Sequence, residues 1–451
     1  MRTSGRPAPR WFESARRSNR RPMRSPPTLI SRSSISPTAN TSTDFRFRKQ
    51  EIFDMFSALQ GLKVLDVSRF IAGPFCAMQL ADHGADVVKV ERLDSGDDTR
   101  ENEPKLGGES VYFMTYNRNK RSFALDFRKP EAQQVLRELA GKADILIENF
   151  RPGTMEQMGC GWEALHALNP RLIMVRISGF GQTGPLSQRP CFDVIAQATS
   201  GLMELTGDPN GPPTMAGTFV VDYTTALYAT IGALTALAAR EQTGKGQLVE
   251  ATLLESAASL LMTAIPEQAV LGRSMSRQGN RDRYTSPVNT FKGSDGAWVH
   301  IASGTDPLFQ RLVTAMGRED LLQDPRFATV KARVANASAI EAEVQAWVSR
   351  HTADAVVEAM DRAGVPCAKV STMADVVENP QLKARNQILT VDHPRAGAYP
   401  THGITVTLRE TPGAVRRPSP LVGEHTSEVA AEWLGWPRER CDELFGKRVI
   451  G

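Results

Sequence analysis

Patterns that bind metals or carry redox chemistry are nearly absent from this chain. Its five cysteines (Cys76, Cys160, Cys191, Cys367 and Cys441) are never closer than 31 residues, and no CxxC or Cys/His ligand spacing occurs. A sparse, odd set of thiols excludes a disulfide framework and a zinc site and fits a reducing compartment. No metal is therefore expected. Seven histidines stand singly, and each reads as a surface or capping residue. The stretch "GLKVLDVSRFIAGP" (61–74) lacks GxGxxG after its first apolar run, and P-loop, GxSxG and HExxH patterns do not occur. These absences weaken the dinucleotide, nucleoside-triphosphate, serine-hydrolase and zinc-protease readings, and no resident cofactor is expected.

A long hydrophobic span is also wanting. The one candidate, Tyr223–Ala239, is 17 residues long, is interrupted by threonines and runs into "REQTGKGQ". It is short for a bilayer and is read as a buried core helix, so no membrane partner is expected. Excess basic charge is confined to one end. Residues 1–54 hold 12 Lys/Arg against 4 Asp/Glu, which leaves 42 basic and 46 acidic residues, a net of −4, in the rest. The body is thus not basic, and no nucleic-acid partner is expected. The leader, bounded at 1–57, is rich in Arg, Ser and Pro without apolar periodicity, and is expected to be disordered. It has no apolar h-region, which argues against a secretory signal. Two readings remain: a mitochondrial-type presequence, or upstream sequence from a wrongly assigned start, with Met55 the natural one. The second is preferred, so the expected location is the cytoplasm, or the mitochondrial matrix if the leader is a presequence.

What is present alternates. "GLKVLDV" (61–67), "ADVVKVER" (85–92), "ADILIENF" (143–150) and "RLIMVRISGFG" (171–181) are continuous apolar strands. Between them lie helical stretches such as "FCAMQLADHG" (75–84), after a Gly-Pro turn at 73–74, and "EAQQVLRELAGKA" (131–143). Such alternation predicts a doubly wound parallel α/β sheet, Rossmann-like in type. The predicted large domain covers 58–274. After about residue 275 a hairpin pattern, "FKGSDGAWVHIAS" (291–303), and helical patterns through 339–364 predict a smaller α+β domain over 275–385.

One carboxylate stands apart. From Met215 to Ala239 the only charged side chain is Asp222, at the head of an Ala/Thr/Leu-rich helix that follows the loop "TGDPNGPPTMAG" (206–217). An acidic residue there commonly caps the helix. The Gly/Pro-dense loop favours a second reading, a site held open for ligand. Small residues behind Asp222 would pack closely and exclude water, and a partly dehydrated carboxylate is the better nucleophile. Arg92, just past the second strand, lies where α/β folds contact nucleotides.

Residues 58–450 resemble the class III CoA-transferase family (the CaiB–BaiF type, which includes formyl-CoA transferase). The likeness rests on "LADHGADVVKVERLDSGDDTR", "NRNKRSFALD", "ADILIENFRPG", "SGFGQTGP", "FDVIAQATSGLMELTGDPNGPPT", "VVDYTTALYA", "TGKGQ" and "PLVGEHT", in that order. The resemblance implies that Asp222 attacks an acyl-CoA thioester and expels CoA thiolate. The thiolate then attacks the aspartyl anhydride, leaving an enzyme-bound aspartyl-CoA thioester that an acceptor carboxylate resolves. CoA enters as substrate, not cofactor, and the partners are acyl-CoA and small carboxylic acids. The resemblance places Ala72, Arg92, Leu125, Arg128, Asn149 and Phe150 against CoA, and Asp193 near the active site. It also implies two ring-shaped chains interlocked as a homodimer, with residues 386–451 returning to the large domain.

Departures from the oxalate-using members are visible. Ile71 replaces a Gln, Gln157 replaces an Arg that helps bind CoA, and "SRQGNRDRYTSPVNTF" replaces a glycine run. The expected acceptor is therefore a four- or five-carbon dicarboxylate, with Arg69, and Arg281 or Arg283, available for its distal charge. Racemases of the same fold carry His before the Asp of "GHD"; here the residue is Phe192, which weakens that alternative. A non-catalytic acyl-CoA-binding protein and an unrelated nucleotide-binding α/β enzyme are the remaining rivals.

Overall fold

The computed structural model describes residues 56–451. The expectations placed on the leader and on Met55 lie outside the described residues.

Strand β1 (Lys63–Asp66) is followed by helix α1 (Ala72–Asp82), and β2 (Asp86–Arg92) by α2 (Val111–Asn117). Then come β3 (Lys120–Leu125), α3 (Pro130–Ala140), β4 (Ile145–Glu148) and β5 (Ile173–Ser178). Helices α4 (Asp193–Ser200) and α5 (Val220–Thr243) precede β6 (Leu248–Thr252) and α6 (Leu253–Ser259). The six strands are all parallel, in the order β3-β2-β1-β4-β5-β6. That is the Rossmann order, whose direction reverses between β1 and β4.

Side-chain alternation explains why both faces are covered. Val64, Ile145, Ile147, Ile173 and Val175 pack with α1, α5 and α6. Their neighbours Leu65, Leu146 and Met174 point the other way, into α3 and the C-terminal helices α10 (Thr426–Leu434) and α11 (Arg438–Gly446). The C-terminal segment is tied to this sheet. Trp433 Nε1 donates to Asp86 Oδ2 at 2.8 Å, and Ile450 bridges antiparallel to Leu125.

Two local expectations change. Gly73 and Pro74 do not form a turn before α1 but sit inside its first turn. Proline is tolerated there because the N–H it lacks would have no intrahelical partner. Helix α5 is long and apolar enough, by length and composition alone, to cross a membrane, yet it is not buried all round. Ala226, Ala229, Ala233 and Ala236 form the inner face, and Gly232 lets it approach β6 so closely that a Cβ would lie 2.6 Å from Val249. Leu227, Tyr228, Ile231 and Leu234 stay exposed on the opposite face.

Beyond residue 275 an antiparallel sheet, ordered β9-β8-β7, is built from β7 (Val288–Lys292), β8 (Trp298–Ala302) and β9 (Cys367–Lys369). Helices α7 (Asp306–Ala315), α8 (Ala337–Val348) and α9 (Ala353–Ala363) close over it around Phe291, Ile301, Phe309, Ile340 and Val356. A hairpin, β10 (Ile388–His393) and β11 (Gly397–His402), follows before α10.

Candidate active site

The turn leaving β1 is held rigidly by buried groups. Ser68 N donates to Asp66 Oδ1 at 3.0 Å, and Lys89 Nζ donates to Ser68 O at 2.9 Å. Lys120 Nζ, fully buried, donates to Asp66 Oδ2 and to Pro74 O, each at 2.8 Å. From β4, Asn149 clamps Arg69: its Oδ1 accepts Arg69 N at 2.8 Å and its Nδ2 donates to Arg69 O at 2.6 Å. The next residue, Phe70, is forced to φ 66°. A bulky side chain in the left-handed region costs of order 1–3 kcal/mol, which the Asn149 clamp offsets. Phe70 then meets Phe192 edge-on, with centroids 5.6 Å apart.

Asp222 is the third residue of α5 and does not cap it. The cap comes from another helix. Asp193, the first residue of α4, accepts from Val221 N at 2.7 Å and Asp222 N at 3.0 Å through Oδ2. Gln197 donates to Asp193 Oδ1 and accepts from Ala216 N at 2.9 Å, so the loop entering α5 is fastened to α4. The Asp222 carboxyl oxygens therefore owe nothing to the helix end, and they have no hydrogen-bond partner among the described residues. Burial first, and the neighbouring Asp193 charge second, push its pKa from 3.8 up to about 7. The ionised, nucleophilic form is lost as pH falls through that value. Burial and the nearby Asp222 charge also push the Tyr112 hydroxyl of α2 upward. Tyr116 and Tyr223 hydroxyls lie 2.7 Å apart. These rings and Phe75, whose centroid is 5.0 Å from that of Tyr223, form an apolar surround.

Two cavities meet at the reversal point of the sheet, where this fold places ligands. One, of about 410 Å³, holds Asp222 with Ala72, Asn149 and Phe150. The other, of about 480 Å³, runs along the carboxyl ends of β1, β2 and β3 and holds Arg92, Leu125, Arg128 and Phe150. Arg69 and Phe150 border both, with the Arg69 guanidinium over the Phe150 ring at 5.1 Å. Asp98 bridges the arginines at this junction: Arg69 donates to it at 3.0 Å, and Arg92 pairs with its other oxygen. Arg128 is exposed and doubly bonded to Asp126 at 2.7 and 3.1 Å. Such a local surface pair is weak and is readily given up to a ligand.

The structure thus gathers the residues singled out from sequence around two adjoining spaces, with four exceptions. Asp193 lines neither cavity and meets the site through the backbone of Val221 and Asp222. Arg281 is fixed to Glu341, with Nε 2.8 Å from Oε1, and Arg283 donates to Ser276 O at 2.5 Å. Neither lines the Asp222 cavity, and Gln157 lines neither cavity. The missed participants are Phe70, Asp98, Tyr112, Arg151, Arg189 and Cys191. Only Asp98 carried a sequence signal, the charged run "ERLDSGDDTR" (91–100). The Cys191 thiol in the cavity is pushed up to about 11 by burial and the adjacent carboxylates, so it stays neutral. No histidine borders the Asp222 cavity.

Residues 59–426 match the profile of CoA-transferase family III. Over 393 residues the chain is 39% identical to the succinyl-CoA–D-citramalate CoA-transferase of Chloroflexus aurantiacus, covering 87% of this chain and 98% of that one. It is 38% identical over 330 residues to the acetyl-CoA:oxalate CoA-transferase of Acetobacter aceti, covering 73% and 85%. Among solved structures, a CaiB/BaiF family protein from Brucella suis superposes with a TM-score of 0.76 at 36% identity, over 84% of this chain and 99% of that one.

Proposed function

The chain belongs to CoA-transferase family III, and on that premise we propose that it moves CoA from a donor thioester to a short dicarboxylic acid by covalent catalysis on Asp222. The observation that carries this reading is the lone Asp222 carboxylate, unpartnered among the described residues, facing a cavity that adjoins a longer one edged with arginine. A carboxylate is a poor nucleophile toward a thioester. Holding the reacting carbonyl against it can contribute roughly 7–11 kcal/mol, drawn from binding the remote nucleotide.

In the first half-reaction an Asp222 oxygen adds to the donor carbonyl, and the C–S bond breaks to release CoA thiolate. The thiolate adds to the Asp222 carbonyl of the anhydride, and the donor leaves as a free carboxylate. The acceptor carboxylate then attacks the aspartyl thioester, and the same two steps run in reverse to give the new CoA ester and regenerate Asp222. The positive end of α1, at Ile71 and Ala72 on the cavity edge, suits the oxyanions formed. Arg92 and Arg128 suit the nucleotide phosphates. A racemase needs a proton-moving pair, and the residue preceding Asp193 is Phe192, so proton transfer is not favoured.

Ile71 on the wall of the Asp222 cavity offers no hydrogen bond to a second carboxylate held as close as that of oxalate. The oxalate-using relative makes this the sharpest point to test. With succinyl-CoA as fixed donor, kcat/KM for glutarate is expected to exceed that for oxalate by tenfold or more. Oxalate as the better acceptor overturns this assignment of the acceptor.

A second copy of the chain is the proposed cover for the open face of α5. Leu227, Tyr228, Ile231 and Leu234 make an apolar stripe too contiguous for a free surface. Interlocked rings fit the family, and they make a distinctive demand: linked chains cannot separate without unfolding. Native mass is expected at twice the 49.4 kDa chain, with no subunit exchange between tagged and untagged pools over a day. Free exchange sinks the interlock, and a monomer sinks the dimer.

A further inference from the structure

We infer that Arg189 and Arg151 grip the distal carboxylate of the acceptor in the Asp222 cavity. The inference rests on the dicarboxylate reading above and names the groups that read it. Three arginines line this cavity, Arg69, Arg151 and Arg189. Arg69 is committed, bonded to Asp98 and laid over Phe150. Arg151 and Arg189 are exposed to the cavity side, and neither guanidinium has a hydrogen bond or ion pair among the described residues. The acids on the same wall do not need them. Asp98 already carries two arginines, and Asp222 is the reacting group.

The cations left over are the kind that recognise a carboxylate through paired N–H donors. Arg189 also sits on a well-fastened loop. Its N–H donates to Leu186 O at 2.9 Å, Pro190 follows, and Cys191 packs so tightly on Gly179 that a Cβ there would lie 2.2 Å away. The apolar residues Ile71, Ile177, Phe70 and Leu253 supply the walls between the ends. An acceptor is thus read at both ends: one carboxylate reacts at Asp222 while the other pairs with arginine.

The test compares glutarate with butyrate, which presents a four-carbon chain without the second charge, using full-length protein and succinyl-CoA as common donor. Any loss in the donor step cancels in the ratio of acceptor kcat/KM values. In Arg189→Met that ratio is expected to fall at least tenfold, and Arg189→Lys is expected to recover part of it. Arg151→Met is expected to lower the same ratio. A ratio unchanged in both methionine variants, or a Lys variant no better than Met, overturns the assignment. Hydroxylamine capture of the wild-type enzyme separates the two levels. A hydroxamate on Asp222 with an unmoved ratio removes only the arginine assignment, whereas no hydroxamate removes the transfer mechanism on which it rests.

Discussion

Asp222→Asn is expected to fold, to bind acyl-CoA, and to lose transfer by a factor on the order of 10⁴ or more, the scale seen when a covalent nucleophile is removed. The amide keeps the shape of the carboxyl group and leaves the Asp193 cap untouched, because that cap uses the backbone N–H of residue 222 and not its side chain. Loss of activity would therefore report chemistry. A second readout makes the point independent of kinetics. The Asp222 pKa is raised in the folded chain from 3.8 to about 7, so the native state binds more protons than the unfolded state between those values. Stability from this group falls as pH rises from about 4 to 7 and stays low above it. A shift of about three units corresponds to at most ~4 kcal/mol, and water at the cavity mouth reduces it to ~1–2 kcal/mol. Asp222→Asn should thus melt a few degrees above wild type at pH 8, with the gap closing toward pH 4. Near-normal turnover, or a variant less stable than wild type at pH 8, would contradict the assignment.

Asp193 is expected to give the second large effect, and a different signature. It is buried and accepts two backbone N–H groups at the head of α5. Asp193→Ala strands both donors and frees Gln197, a loss of roughly 2–4 kcal/mol. It also lets the start of α5 shift, and a displacement of about 1 Å in a reacting group costs on the order of 10²-fold in rate. Asp193→Asn separates position from charge. One amide oxygen can still accept at the helix head, although its NH₂ then confronts Gln197, so stability drops less than in the alanine variant. The neighbouring negative charge disappears. The acid limb of kcat/KM is expected near pH 7 in the wild type, where Asp222 titrates, and is expected to move to lower pH in Asp193→Asn. A limb that stays in place would show that another group titrates there.

The contrast between these two aspartates shows what the sequence could disclose. Asp222 was visible as the lone charged residue at the head of its helix, whereas Asp193 came into view only through the resemblance. Which of them serves the helix end was not visible, because Asp193 reaches α5 across 29 residues of chain. Strands β1, β2, β4 and β5 were legible as apolar runs. Strand β3 was not, because it begins Lys120-Arg121, and both side chains are buried. Their charge is balanced by partners remote in sequence: Asp66 for Lys120, and Asp86, Glu428 and Glu432 for Arg121. A local pattern cannot reveal a charge that is neutralised 307 residues away. The arginines show the same limit. Arg281 and Arg283 were put forward because they lie in the segment that replaces the glycine run, Arg189 had no signal at all, and only the fold shows which guanidinium groups are already taken. The left-handed turn at Phe70 had no signal, since glycine or asparagine would announce such a backbone and phenylalanine does not.

The Asp98 bridge changes what binding at this junction means. Arg69 and Arg92 do not wait as bare cations in water; a carboxylate of the chain itself already occupies them. If CoA places a phosphate on Arg92, as proposed above, that phosphate competes with Asp98, so the interaction would be an exchange of one anion for another and not the neutralisation of free charge. What the exchange rewards is the difference between a doubly charged phosphate and a singly charged carboxylate. A ligand with less charge at that point has little leverage over Asp98. The carboxylate, once released, lies on the wall of the cavity that holds Asp222. Binding in one chamber and the charge on the wall of the other would thus be coupled through this one carboxylate.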